Sequence, residues 1–582
     1  MEKTKIDLEL EKLIKRFALK NALEFKGKAS AGAVIGKVLS VRKDLRERAK
    51  EVGLIVKKIV EEINLLSYQE QERAFEEFRP LSEKEKKREE KKNLPPLKNA
   101  EKGVVMRFAP SPSGPLHIGH TRACILNDEY VKRYGGEFIL RLEDTNPKNI
   151  EIEAYQMIQE DLDWLGVEYH KVVIQSERME LYHHWAERLL EIEKAYVCDC
   201  DVEFWRKRKL EKKACPHRNS PSEENLSRWE KMLEGDYREG EASFVIKTNL
   251  HDPNPALRDF VGMRIVETPH PRTGDIYRVY PLYNFSVAID DHLLGVTHVL
   301  RGKDHLNNTF RQKYIYKYLG WKEPEFYHYG WVSIPEVELK TSNIKKKIKN
   351  KEYTGWDDVR LGSLAALRKR GIQPEALREY WKKVGMNPID IKFSWKTLFS
   401  YNRNLIDKKA NRYFFTAGPK KMKIFGKEAL RARAPLHPDF PERGFRELVL
   451  KGNAGGEEGF VFLFIDEKDF EEIKSEIEKG SYLLRLKDLC NIVVEAVTPA
   501  QEVKAKYAGN DLSVLKRGVK IIHWTPPDSL PCTVNMPDGR IVEGVVEPLI
   551  LKEKSEIVQF ERFGFVRFEK RDKKVEAFYA HR

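Results

Sequence analysis

Apolar residues fall into three textures along the chain. From Ile6 to Phe25, Leu10, Leu13, Ile14 and Phe17 recur at helical spacing, and Leu54 to Leu65 repeats the pattern, so the first stretch predicts amphipathic helices. Next, Val104 to Phe108 and Phe138 to Leu142 read as short apolar strands. Between them Gly119 to Tyr134 reads as a helix stopped by Gly135-Gly136. Strand, helix and strand with a short return predict a right-handed parallel crossover, hence an open α/β sheet with ligands at the strand C-terminal ends. Asn146-Pro147 caps a following helix whose core stripe is Ala154, Ile158, Leu162 and Leu165.

From Cys198 to about Tyr280 this alternation is interrupted, and it resumes with a strand at Val296 to Leu300 and a helix from Asp304 to Leu319. An insertion between two halves of one nucleotide fold explains the break. Residues 355–405 look helical, with Leu364, Leu367, Ala376 and Leu377 as core positions. Beyond Asp407 the third texture begins: short alternating strands at Phe460 to Ile465, Ile521 to Trp524, Thr533 to Val546 with Asp538-Gly539 as a hairpin turn, and Glu556 to Phe568. One or two barrels are expected there. Residues 83–92 are almost wholly Glu, Lys and Arg before Pro95-Pro96 and read as a charged linker.

A length of 582 residues exceeds what one core supports and predicts three to five domains. The formal charge of +14, from 105 basic against 91 acidic residues, suits a polyanionic partner; a densely charged thermotolerant surface gives the same numbers. The longest apolar run, Phe460 to Ile465, is too short to cross a bilayer, and the Lys/Glu-rich N-terminus lacks a signal core, so a cytoplasmic protein without membrane contact is expected. Six cysteines exclude a disulfide scaffold. Cys198-x-Cys200 followed by Cys215-x-His217 supplies four soft ligands suited to tetrahedral, structural Zn²⁺, while Cys124, Cys490 and Cys532 are examples of the plain buried alternative.

The chemistry concentrates in Arg107 to His120, Arg-Phe-Ala-Pro-Ser-Pro-Ser-Gly-Pro-Leu-His-Ile-Gly-His. Its two histidines fall on the first turn of a helix, where unpaired N–H groups and the dipole favour anions, and Gly119 is expected to leave room for a phosphate. Paired imidazoles there would neutralise a triphosphate. With Arg-Leu-Glu-Asp-Thr-Asn-Pro at 141–147 and Asp-Asp-His-Leu-Leu-Gly-Val-Thr-His-Val-Leu-Arg-Gly at 290–302, the chain resembles the class I aminoacyl-tRNA synthetases of the glutamyl/glutaminyl subgroup, in their archaeal glutamyl type. The resemblance covers nearly the whole chain.

It implies a multidomain α/β plus all-β architecture: an N-terminal helical appendage and linker (1–100), a Rossmann-like catalytic domain (101–197 and 281–350) split by a zinc-bearing, acceptor-binding insertion (198–280), a helical stem-contact domain (351–405) and a β-barrel anticodon-binding region (406–582). It further implies ATP with Mg²⁺, L-glutamate and tRNA(Glu) as partners, without separating tRNA(Glu) from tRNA(Gln), and no DNA. The role of residues 1–100, an RNA or protein contact or a solvated helical face, stays open. For ATP the resemblance points to Pro110, His117, Gly119 and His120. It adds Leu339, Lys340, Thr341 and Ser342, the counterpart of the family's lysine-rich signature loop; here Thr341 stands where the second lysine is usual, so the cation shifts to Lys340 or to Lys345, Lys346 and Lys347. For glutamate it points to Arg107 and Arg301 on the side-chain carboxylate, Glu143 on the ammonium, Tyr283 as a wall and Ser111 as a further hydrogen bond. Arg301 with Asp304, and Glu143 with Arg141, are the structural pairings open as alternatives.

Activation needs the substrate carboxylate to attack the ATP α-phosphate, so positioning and electrostatics carry the step and no protein nucleophile is required. Glutaminyl enzymes generally read Pro-Pro-Glu-Pro-Asn-Gly and Phe-Asp-Asp-Thr-Asn-Pro where this chain has Ala-Pro-Ser-Pro-Ser-Gly and Leu-Glu-Asp-Thr-Asn-Pro, which favours glutamate. A noncatalytic RNA-binding relative and a small-cofactor nucleotidyltransferase rank behind.

Overall fold

Parallel strands buried on both faces need unbroken apolar runs. Phe138 to Leu142 are all buried, as are Val104 and Met106 to Phe108, and these two runs form the parallel pair Val104–Phe108 and Gly136–Leu142. The computed structural model describes residues 2–25, 27–76, 94–452 and 459–582. The charged run at 83–92 lies outside the described residues. Lys171–Ile174 adds a third parallel strand. On the other side Thr297 donates its N–H to Val105 O at 2.9 Å and accepts the Val105 N–H on Oγ1 at 2.9 Å, docking a second parallel pair, His298–Gly302 and Glu325–Tyr329. Val104–Phe108 thus stands where the winding reverses, the position at which open α/β sheets bind ligands beyond the strand ends. Gly136 is required at the crossover return: a Cβ there would sit 2.0 Å from Val104 O.

The interruption between the halves is a four-stranded antiparallel sheet of Ala195–Cys198, Ser243–Ile246, Phe260–Ile265 and Val279–Pro281. Trp229, Met232 and Phe244 are among the side chains that fill its core. The helices at Leu364–Lys369, Pro374–Val384 and Trp395–Ile406 follow, as the apolar spacing predicts.

Alternation does settle the tail: Ala429–Pro435 and Phe445–Lys451 form an antiparallel ribbon in which every second side chain is buried. The rest forms two seven-stranded sheets. The edges of the first are Arg412–Tyr413 and Phe415–Ala417, separated by Phe414 alone; those of the second are Ile521–Ile522 and Trp524–Thr525, separated by His523 alone. Each sheet therefore curls until one chain segment steps from one edge to the other. Three expectations change here. Ile521 to Trp524 is two edge strands, Glu556 to Phe568 is the hairpin Ile557–Phe560 with Gly564–Arg571, and a helix, Glu467–Ile477, interrupts the β texture.

The described residues up to Leu94 form a separate compact unit. Its helices are Glu2–Glu24, Ala31–Val41, Ala49–Asn64 and Tyr68–Glu76, around a core including Leu10, Ile14, Val34, Val56 and Ile59. The second and fourth helices carry no long amphipathic repeat and were not expected. Among the described residues no helix is long and apolar enough to cross a membrane.

Candidate active site and metal centre

The strand Val104–Phe108 ends in the Pro/Gly-rich loop, and the helix Ile118–Tyr134 starts from His117 as its N-cap. His117 Nδ1 accepts the Gly119 N–H at 3.0 Å, and the His117 N–H donates to His120 Nδ1 at 3.2 Å. With both Nδ1 atoms accepting, each ring carries its proton on Nε2. The rings stack 3.7 Å apart. Burial brings His117 down to about 4; burial, then the neighbouring His117, holds His120 well below the usual imidazole range. As the rings stand, the pair is consequently two neutral N–H donors that present Nε2 hydrogens toward a phosphate.

The first-turn backbone is also not open. The Ile118 N–H donates to Gly362 O at 2.9 Å, Gly119 to the His117 ring, and His120 to His117 O at 2.8 Å. Nor does Gly119 simply leave room for a ligand. A Cβ there would lie 2.8 Å from His117 Cε1, so glycine lets the capping ring fold over the helix start. Anion-binding capacity passes from the peptide groups to the two Nε2 atoms.

The lysine-rich loop lies beside this motif. A Cβ on Gly114 would meet Thr341 Cγ2 at 2.8 Å, and Leu339 Cδ2 would lie 2.6 Å from a Cβ on Gly362, whose carbonyl receives Ile118. Lys340 is the exposed N-cap of the helix Thr341–Lys349, and Ser342 is exposed next to it. Lys345 pairs with Glu151 at 2.6 Å and Lys347 with Glu338 at 2.8 Å, whereas Lys340 has no carboxylate partner among the described residues. Pro110 O accepts the Glu143 N–H at 3.0 Å, which ties the motif loop to the end of the second strand. Ser111 is exposed, its carbonyl accepting the Ser113 N–H at 2.8 Å.

Behind the loop lies a buried charged constellation. Arg107 donates to Asp291 at 3.1 and 3.4 Å, and Arg141 reaches the same carboxylate at 2.6 Å and Glu143 at 3.0 Å. Burial opposes ionisation of Asp291, but Arg107 and Arg141 hold its carboxyl below the ordinary range. Burial raises Glu143 in spite of Arg141 and Arg107, and the Glu143–Arg141 alternative is formed. Arg301 does not pair with Asp304, whose carboxylate lies 3.4 Å from His305. Arg301 donates instead to Tyr283 Oη at 3.3 Å, Thr309 Oγ1 at 2.5 Å and Gln312 Oε1 at 2.9 Å. These partners are neutral, and burial pulls its guanidinium down from the ordinary arginine range. Arg301, Glu143 and Arg107 are the charges that act on Tyr283, so four of the expected residues converge.

Sequence reasoning gave no role to Asp290, Asp291, Thr309 or Gln312, and offered Arg141 only as a pairing for Glu143. Asp290 accepts from Gln175, Tyr182 and Arg178, each at 2.8 Å. The available signal was two adjacent acids following Val287, Ala288 and Ile289, since acids in so apolar a helix must be paired.

In the interrupting sheet, Cys198 Sγ lies 3.3 Å and Cys200 Sγ 3.5 Å from Cys215 Sγ, and His217 Nδ1 lies 3.4 Å from Cys200 Sγ. All four ligand atoms fall within 4.8 Å of one another. Asp199 holds His217 Nε2 at 2.9 Å, turning Nδ1 toward the thiols. This donor set fits a tetrahedral metal ion.

Comparison with known proteins agrees with this geometry. Residues 103–408 match the family model of the tRNA synthetases class I (E and Q) catalytic domain, and 410–508 and 521–569 match two anti-codon binding domain models of the same group. A glutamate–tRNA ligase of Methanocaldococcus jannaschii is 50% identical over 579 residues, 98% of this chain and 100% of that one. Its counterpart in Pyrococcus furiosus is 48% identical over 587 residues, 99% and 100% of the two chains. With the stacked histidines at the reversal point of a parallel sheet and two seven-stranded β sheets later in the chain, the chain belongs to the class I tRNA synthetases of the glutamate and glutamine group.

Proposed function

We propose that the chain ligates glutamate to tRNA: glutamate and ATP give glutamyl-adenylate and pyrophosphate, and a hydroxyl of the tRNA 3′-terminal ribose then displaces AMP. The observation that carries the choice of amino acid is Arg301, a buried cation with neutral partners only. An acidic side chain completes it; the amide of glutamine leaves a guanidinium uncompensated, at several kcal/mol. Arg107 adds a second positive edge, Tyr283 walls the pocket, Glu143 receives the ammonium, and Ser111 borders the loop.

When the glutamate α-carboxylate attacks the α-phosphorus, the bond to the bridging oxygen breaks and its electrons leave with pyrophosphate. His117 and His120 donate Nε2–H to phosphate oxygens as charge builds, each worth roughly 3 kcal/mol in the transition state. Pro110, Gly119 and Leu339 to Ser342 shape the nucleotide site, and Lys340 supplies the mobile cation. Mg²⁺ accompanies the ATP phosphates. Cys198, Cys200, Cys215 and His217 hold structural Zn²⁺, which pins the lobe that takes the tRNA acceptor end and takes no part in the reaction.

Pyrophosphate exchange in the presence of tRNA tests the reading: glutamate supports it, and equal exchange with glutamine would overturn it. His120→Ala lowers exchange by about 100-fold while tRNA affinity persists. Parallel charging of tRNA(Glu) and tRNA(Gln) reads the RNA range. Metal analysis of the purified protein finds about one Zn²⁺ per chain, and its absence removes the zinc assignment.

A further inference from the structure

His270 lies on the turn that joins the strands Phe260–Ile265 and Val279–Pro281 of the sheet interrupting the catalytic fold, yet its ring reaches Asp144, just past the end of the catalytic strand Gly136–Leu142. It is 2% exposed. Nδ1 accepts the Arg272 N–H at 3.1 Å and the Thr273 N–H at 3.3 Å, which leaves the proton on Nε2, and Nε2 donates to the Asp144 carbonyl at 2.9 Å. Its own segment is pinned as a tight turn, with reciprocal backbone bonds between His270 and Gly274 at 2.9 and 2.8 Å. Asp144 is equally fixed from the catalytic side. Its carboxylate, fully buried, accepts from Tyr155 Oη at 2.6 Å, Ser176 N at 2.7 Å and Ser176 Oγ at 2.6 Å.

Asp144 directly follows Glu143, whose N–H donates to Pro110 O and whose carboxylate meets Arg141. The His270 bond therefore lies one residue from the group assigned to the substrate ammonium, and two bonds from the motif loop. Neighbouring contacts repeat the connection at the rim: Arg264 donates to Asn146 Oδ1 at 3.1 Å, and Lys148 meets Glu239 at 2.6 Å. Both rim contacts involve more exposed groups than His270.

We propose that His270 is a positioning residue, through which the segment inserted into the catalytic fold sets the placement of Glu143 and so the capture of glutamate. The inference rests on the glutamate reading given above. Its ring offers one N–H to one carbonyl, so a rigid shift of the 270–274 turn moves the Asp144 peptide, and a displacement of that size at a reacting group is felt steeply.

The full-length protein with tRNA is the system to test, by pyrophosphate exchange over ranges of glutamate and of ATP. His270→Ala raises the glutamate KM about tenfold, with the ATP KM within about twofold of the parent. His270→Gln, which keeps an N–H donor, recovers most of the loss. An unchanged glutamate KM in a His270→Ala protein that melts like the parent overturns the proposal. So does an equal rise in both KM values, the mark of general loosening, or a His270→Gln protein no better than the alanine variant. If the parent itself shows no glutamate-dependent exchange, the glutamate reading falls instead.

Discussion

Two arginines with almost the same burial, Arg301 at 5% exposure and Arg446 at 2%, sit in opposite electrostatic company. Arg446 sits in a cluster that draws groups from the segments of both seven-stranded sheets. It reaches Glu547 at 2.6 Å and Glu561 at 3.2 Å, and Glu561 also takes His523 and Lys487, each at 3.1 Å. Arg301 has three neutral acceptors. Arg446 is satisfied by carboxylates of its own chain as part of the scaffold; on the proposed reading Arg301, left with dipoles alone, takes an anion from outside. Burial by itself does not separate these roles, whereas the partners do.

Substitutions can break the contrast. Arg446→Met leaves Glu547 buried beside a lone backbone donor and weakens the Glu561 cluster, so chemical denaturation should show a loss of about 3–5 kcal/mol in the β region. Exchange per folded molecule should stay near the parent value, and a comparable fall in activity would mean that the cluster serves the chemistry. Arg301→Gln should do the reverse. Glutamate kcat/KM falls about 100-fold, equivalent to about 3 kcal/mol, while the melting transition holds or rises because an uncompensated charge has gone. A stability loss matching that of Arg446→Met would erase the distinction.

The pH response sharpens it. Burial opposes ionisation of Glu561, but the hydrogen bond from His523 and the charges of Lys487 and Arg446 hold its carboxyl at about 2 against an ordinary 4.5. A depressed folded-state value gives stability that is complete above pH 4.5 and lost as pH falls toward 2. Glu561→Gln should then be roughly 2–3 kcal/mol less stable than the parent near neutrality, with the gap closing through that acid window. A gap independent of pH would assign the effect to packing. The smallest effect is expected from Thr309→Val, which removes one neutral acceptor from Arg301: a rise in glutamate KM of about threefold to tenfold.

Legibility in the sequence follows the range of the interactions. The Arg107 to His120 phrase, the crossover, the Cys/His quartet and the short-strand texture of the tail are visible because spacing along a few residues encodes them. The rings of His117 and His120 capping their own helix are not, since identical letters serve a free phosphate grip. Asp291 acquires meaning only when Arg107 and Arg141 arrive from 184 and 150 residues away. Edge strands of two or three residues, such as Arg412–Tyr413 and Trp524–Thr525, are shorter than any period that alternation could reveal.

Those brief edges have an effect of their own. An unpaired strand margin is a template on which another molecule can stack, and long, flat, apolar margins are where β proteins stick together. By spending both rims of each large sheet on nearly consecutive residues around Phe414 and His523, those two sheets end in strands of only two or three residues. Sheets that end this way give edge-to-edge stacking little to start from.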